Sequence, residues 1–485
     1  MAETDHPRQG DWLAQEQMRV VSLTGREDGQ VQKMGAGVVA GMLSGLLSGL
    51  LGGQEPARSL NLSAVDIRPR WESTWAKAAI ANDPAAKLIV ADYLSGLMAA
   101  GYSPSEQGLW VSIGDYPVAE NLGTVPMPAA SLTKIATTLA ALATWEPTHQ
   151  FETWVGWRGK VENGVLLGDL VVVGSDDPLF VWEEAITLGK ALQQQGIRQV
   201  KGDLMIVGHF NMNFETEPNR SGALLKQALN ANLWDYEVES AYQELAKVKA
   251  KRDVVEESKP TIAISGNVRV APIHQKESVD GWFLRHSSLP LVAVLKAMNI
   301  YSNNPMAEQM ASAVGGSSAV VNKVEATASI PPGEVKLING SGLGEENQIS
   351  PRAAVLMLQA IQSQLLDSGF TLSDIFPIAG ADGGTVLDRR LPENAVVKTG
   401  SLAVVSSLAG AFPTKTKGVV WFSIMNYGSG LDALRSRQDQ VLSALEQQWG
   451  KAPTLPPQLR SSIVMGQAPY QFGDPARNRP VEQKL

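Results

Sequence analysis

The chain has 485 residues, longer than one ordinary domain, so two or three domains are expected. A hydrophobic content of 44% supplies a large core, and a net charge of −8 argues against nucleic acid as a partner. With no cysteine there is neither a disulfide nor a thiolate metal site, and the five histidines (His6, His149, His209, His274, His286) show no metal-ligand spacing.

Residues 1–33 are polar, and residues 34–53 then carry no charge. As a helix, that second segment would be about 30 Å long, near the thickness of a bilayer core. Gly37, Gly41, Gly45 and Gly49 recur every fourth residue and form a ridge without side chains, the repeated G-x-x-x-G that lets helices approach in lipid. The segment is therefore expected to be a signal-anchor helix that self-associates. A cleaved signal starting at Met18 or Met34, or a Gly-rich linker, are the competing readings. No A-x-A site follows, which favours the uncleaved form. Lys33 on one side and Arg58, Arg68 and Arg70 on the other leave the orientation to the chemistry of the downstream region.

Residues 127–140 hold the most telling stretch, Ser131-Leu132-Thr133-Lys134, in a run with the composition of a buried helix opening after Pro128. Residues three apart share a helix face, so the Ser131 hydroxyl and Lys134 amine point the same way. In a dry site a lysine loses its proton near neutral pH and can act as base for a serine. Between this segment and residue 286, strand-like runs (153–157, 165–167, 170–173, 203–207) are separated by turn residues, so a β-rich insert is expected. Within it, the two alternating apolar runs around Gly266-Asn267 predict a β-hairpin, and the charged run 236–259 a solvated surface helix.

A helical run over 291–301 ends at Ser302-Asn303-Asn304, and a second helix starts at Pro305, so the triplet sits on a loop between helices. S-x-N occurs also at Ser59 and Ser265, and only its order and place single out Ser302. Lys398-Thr399-Gly400 lies in the first of three β-rich segments closed by a helix from Leu431 to about Trp449. Burying that lysine is costly unless it faces a cleft. Beyond Lys451 the chain is rich in proline, glutamine and arginine and is expected to be disordered. No G-x-S-x-G elbow is present, which weakens a Ser-His-Asp hydrolase reading.

SxxK, S-x-N and K-T-G in that order form the signature set of penicillin-binding proteins and serine β-lactamases. Three further stretches narrow the likeness: Asn339-Gly340-Ser341-Gly342-Leu343, residues 379–390 with Asp382-Gly383-Gly384-Thr385, and residues 168–178 ending Asp176-Asp177-Pro178. Over roughly residues 60–450 the chain resembles the D-alanyl-D-alanine carboxypeptidase/endopeptidase family of class C, low-molecular-mass penicillin-binding proteins. It departs from that pattern at Asn339 and Asn303, where aspartate is commoner.

The resemblance implies an α/β (α+β) fold, a penicillin-binding transpeptidase/β-lactamase-like domain with an antiparallel sheet flanked by helices. That domain would be discontinuous (60–150 and 286–450), with β-rich accessory structure inserted over 151–285 and a tail over 451–485. It further implies a serine D,D-carboxypeptidase acting on the D-Ala-D-Ala end of peptidoglycan stem peptides through an acyl-enzyme, with or without D,D-endopeptidase action, and covalent capture by β-lactams. Ser131 would be the nucleophile, Lys134 its base and Ser302 the proton relay to the leaving amine. Asn304 would hold the donor peptide, Lys398 and Thr399 the terminal carboxylate, and Gly400 would let the strand approach the substrate. The Ser131 and Ser401 N–H groups would form the oxyanion hole. No metal or organic cofactor is implied, and the site would face the periplasm of a bacterial envelope. A serine β-lactamase and a non-catalytic peptidoglycan-binding scaffold remain as alternatives.

Overall fold

Residues 83–250 and 258–481 are described by the structure, a computed structural model. The polar segment 1–33, the glycine-ridged segment 34–53 and the start of the catalytic region at 60 lie outside them. Helix α1 (Pro84–Ala99) starts where Asp83 accepts the Ala86 N–H, with proline at the first helical position. The hairpin β1 (Gln107–Ile113) and β2 (Tyr116–Asn121) comes next, then the short β3 (Met127–Pro128). A 3-10 turn, Ala130–Leu132, leads into α2 (Thr133–Leu142), whose every residue is buried.

The insert opens with a long hairpin, β4 (Glu152–Glu162) and β5 (Val165–Ser175), in which Trp154 opposes Val173. It continues through α3 (Trp182–Gln194), β6 (Gln199–Val200), β7 (Leu204–His209), α4 (Pro218–Ala228) and α5 (Tyr236–Ala250). Its last strands are β8 (Ala263–Ile264), β9 (Val268–Ala271) and β10 (Gly281–Ser287). The insert is built on a sheet as expected, and helices pack on it in an α/β arrangement. Strand β5 pairs in parallel with β6 and β7, and these pair in parallel with β8 and β9. Parallel neighbours need crossovers, and α3, α4 and α5 are those crossovers. Their apolar faces (Ile186, Leu225, Val238, Leu245) bury against Leu170, Val172, Leu204 and Ile206. So α5 is amphipathic rather than a fully solvated helix. The expected hairpin around Gly266 is also corrected: β8 and β9 do not pair with each other but run on together beside β6 and β7.

The chain then returns through α6 (Leu291–Ile300), α7 (Asn304–Ala313) and α8 (Ser317–Thr327), the short β11 (Val335–Lys336) and β12 (Gln348–Ile349), and α9 (Pro351–Asp367). It ends in β13 (Val396–Leu402), β14 (Val405–Thr414), β15 (Gly418–Tyr427) and α10 (Leu431–Trp449). The catalytic sheet has the order β13-β14-β15-β1-β2, antiparallel throughout, so strands from before and after the insert share one sheet. Period-two alternation divides its faces. Ala409 and Ala411 join the core with α2, α6 and α9, whereas Leu408 and Phe412 join the one with α1 and α10. The small alanines leave room for the turn before α2 to lie against β13 and β14.

The expectation of a disordered tail after Lys451 is overturned. Strand β16 (Asn478–Pro480) pairs with β10, and Asp374 accepts bonds from the Ser462 and Ile463 N–H groups and from both serine hydroxyls of 461 and 462. Arg477, almost fully buried, is ion-paired with the buried Glu184 of α3. These partners are remote in sequence, which composition does not reveal.

Candidate active site

Ser131 sits in the 3-10 turn rather than inside the helix, and Lys134 is the second residue of α2. Both still point the same way, with Lys134 Nζ 2.9 Å from Ser131 Oγ. The residue before the nucleophile, Ala130, has φ +48°, a left-handed conformation that costs a non-glycine residue about 1–3 kcal/mol. Such strain persists only where surroundings hold it, and here Ser407 Oγ donates to the neighbouring Ala129 carbonyl at 2.7 Å.

Lys134 has two further acceptors, Asn304 Oδ1 at 2.8 Å and the Ser341 carbonyl at 2.8 Å. Burial pushes its pKa down to about 7, opposed by the nearby Glu308 carboxylate. The number of partners has a chemical consequence. A neutral amine has two N–H donors and one lone pair, and the Ser341 carbonyl can only accept. With Asn304 Oδ1 also accepting, the lone pair is left facing the Ser131 hydroxyl.

Ser302 and Asn304 flank the N-terminus of α7. Ser302 is held at φ +53°, and Asn303 caps the helix by accepting the Met306 N–H. Asparagine serves this capping role as well as aspartate does, so the departure at Asn303 leaves the loop intact. Asn339 likewise accepts the Gly342 N–H and, unlike an aspartate, also donates to the Leu343 carbonyl.

Strand β13 forms the opposite wall. Lys398 Nζ donates to Ser302 Oγ at 3.0 Å and to the Thr399 carbonyl at 2.7 Å. Fully buried and beside Lys134, it is held well below the usual lysine range. Thr399 Oγ1 meets Thr385 Oγ1 at 2.7 Å. An added Cβ at Gly400 would lie 2.2 Å from Ser407 Oγ and 2.8 Å from Ser131 N, so only glycine lets the strand reach the serine turn. β13 is the edge of its sheet. The Ala395 carbonyl and Val397 N–H bond outward to Ala379 and Pro377. Strand alternation then aims the Thr399 and Ser401 peptide groups into the cleft. Ser401 Oγ accepts from Arg435 of α10 at 2.9 Å.

All eight residues singled out by sequence therefore converge on one cleft, drawn from the 3-10 turn and α2, the α6–α7 loop with the first residue of α7, and β13. Sequence reasoning gave no role to the supporting residues: Glu308, the Ser341 carbonyl, Thr385, Arg435 and the Lys296–Asp382 pair (2.6 Å). Ser341, Asp382 and Thr385 lay in stretches that carry the family likeness, and Glu308 lies four residues after Asn304 on one helix face.

The chain is similar to several known proteins. D-alanyl-D-alanine carboxypeptidase DacB of Haemophilus influenzae is 26% identical over 388 residues, 62% of this chain and 80% of that protein. The penicillin G-acylated predatory endopeptidase Bd3459 of Bdellovibrio bacteriovorus, solved with its immunity protein Bd3460, superposes with a TM-score of 0.63 at 20% identity, covering 77% of this chain and 98% of that one. Penicillin-binding protein 4 (dacB) of H. influenzae, complexed with a β-lactam, gives 0.55 at 20% identity, over 73% and 99%. At that identity the two structures establish the shared fold. The D-Ala-D-Ala carboxypeptidase 3 (S13) family matches residues 113–210 and 235–448, well over half of the chain. The chain belongs to that family and is a serine-type D-Ala-D-Ala carboxypeptidase of the penicillin-binding kind.

Proposed function

We propose that Ser131 is the nucleophile and Lys134 its base in cleavage of the D-Ala-D-Ala end of peptidoglycan stem peptides. The observation that carries this assignment is the set of three partners around Lys134 Nζ, which turns its lone pair toward Ser131 Oγ. Ser131 Oγ attacks the carbonyl carbon of the penultimate D-alanine and its proton passes to Lys134 Nζ. The C–N bond to the terminal D-alanine then breaks, and Ser302, bonded to Lys398, relays the proton taken up by Lys134 to the departing amine, so that both side chains return to their starting forms. Water attacks the resulting ester, releases the shortened peptide and restores the Ser131 hydroxyl.

The Ser131 and Ser401 N–H groups receive the developing oxyanion, worth about 3–4 kcal/mol per donor in enzymes of similar chemistry. Lys398, fully buried on β13, meets the substrate's terminal carboxylate, with Thr399 as a hydroxyl donor. Asn304 holds the donor peptide while it orients Lys134.

The test is a time course of labelled penicillin with wild type and Ser131→Ala. A long-lived adduct that Ser131→Ala abolishes is expected. An equal adduct in both proteins overturns the nucleophile, and rapid turnover of the label points to a β-lactamase. D-alanine release from a pentapeptide, compared with cleavage of a cross-linked dimer, then separates carboxypeptidase from endopeptidase action. Because its substrate lies outside the inner membrane, the catalytic region belongs on the periplasmic side, anchored and self-associating through residues 34–53. Purified membranes should yield the uncleaved N-terminal peptide. A mature form beginning after Gly53 rules the anchor out.

A further inference from the structure

One carboxylate beside the cleft, exposed at its outer side yet bonded inward to the backbone, has no part in the mechanism above. Glu308 lies on α7, one turn beyond Asn304. Its Oε2 accepts the Gly340 N–H and its Oε1 the Ser341 N–H, both at 3.0 Å. The Gly340 carbonyl is held from the other side by Thr137 Oγ1 of α2 at 2.7 Å. An added Cβ at Gly340 would fall 2.5 Å from the Ala307 carbonyl, so the segment rests directly on α7. The Gly340–Ser341 stretch is thereby clamped between the two helices that carry Lys134 and Asn304, with the Ser341 carbonyl aimed at Lys134 Nζ.

We propose that Glu308 is a positioning residue for the reaction: by pinning residues 340–341 it fixes the acceptor that aims the Lys134 lone pair at Ser131, and its charge sets how readily Lys134 gives up its proton. This rests on the assignment of Ser131 and Lys134 as nucleophile and base. The second half follows from sign. A carboxylate near an amine favours the ammonium form and raises its pKa, against the lowering by burial. Lys398 of β13 is the other charged group coupled to Lys134. Two further helices pack on α2. α8 carries Lys323 and Glu325, and α9 carries Arg352, which is paired with Glu334. None of these three is among the groups that shift Lys134.

The experiment is the pH dependence of the second-order rate of acylation by labelled penicillin, with folding checked by circular dichroism. Wild type should lose rate as pH falls below about 7, where Lys134 becomes charged. Glu308→Gln removes the charge and presents an amide N–H to one backbone donor. Its plateau should fall about tenfold or more, and its acid limb should move to lower pH. Glu308→Asp, which keeps the charge but shortens the reach, should lose plateau rate while retaining the wild-type limb. A Glu308→Gln limb that stays in place overturns the proposal whatever happens to the plateau, since a purely structural loss lowers the rate without moving the limb. If Glu308→Gln does not fold, Glu308→Asp decides: a wild-type plateau overturns the clamp, and a reduced plateau with an unmoved limb supports it. A folded wild type that takes no label at Ser131 is distinguishable from these outcomes and removes both readings together.

Discussion

At the scale of single residues, the cleft depends on how closely β13 approaches the serine turn. Gly400 faces Ser407 Oγ, Ser131 N and the Ala129 carbonyl, all within 3 Å of where a Cβ would stand. Gly400→Ala should therefore push the turn away and lower penicillin acylation by about 100-fold, the usual cost of an ångström-scale misplacement of reacting groups. Labelling kinetics on folded protein check it, and a wild-type rate would show that the turn yields freely. As the proposed base, Lys134 should set the pH dependence at the same scale. Its pKa, brought down to about 7, means that the base is present above that value and lost below it. The acylation rate should fall tenfold per unit of pH on the acid side. A profile flat from about pH 5 to about pH 8 would take Lys134 out of the base role.

At the scale of elements, the segment between α9 and β13 has almost no regular structure, yet it places Thr385 against Thr399. Its anchor is Lys296 of α6, buried, which donates to the Ser373 and Phe376 carbonyls and to Asp382 Oδ2. Asp382 in turn accepts the Ile378 N–H at 2.8 Å. Lys296→Met leaves a carboxylate and two carbonyls without their donor. It should destabilise the fold by about 3–5 kcal/mol, the range for breaking one side of a buried ion pair. Denaturant midpoints measure that loss. A change below about 1 kcal/mol would mean that water replaces the amine without penalty.

At the scale of the whole molecule, residues 451–481 tie the insert to the catalytic region. The strap leaves α10, binds Asp374 through Ser461, Ser462 and Ile463, and ends as β16 on β10. His286 of β10 meets Asn478 Oδ1 at 2.9 Å, and Arg477 pairs with Glu184. Truncation after Lys451 should lower the melting temperature and expose residues 281–287 to hydrogen exchange, because β10 becomes an edge strand. Unchanged protection there would show that β4 alone secures β10.

The sequence by itself determined the chemistry and much of the scaffold. Ser131 and Lys134 are three residues apart, so their mutual reach is a local property that survived the replacement of an expected helix by a 3-10 turn. The order of the three motifs carried the family resemblance, which implied that Ser302, Asn304 and Lys398 share one site, and the strand-like runs between the motifs marked the interruption. Tertiary structure alone decided what depends on distant partners. Burial beneath the sheet and helices lowers Lys134, and the Ser341 carbonyl, about 200 residues further on, orients it. The same limit explains the tail and the run around Gly266. Residues 451–481 look disordered by composition, yet Arg477 finds Glu184 nearly 300 residues away. The alternation at 263–270 is equally that of a hairpin and of two strands in a parallel sheet. Local pattern records which faces are apolar, and only long-range packing selects what covers them.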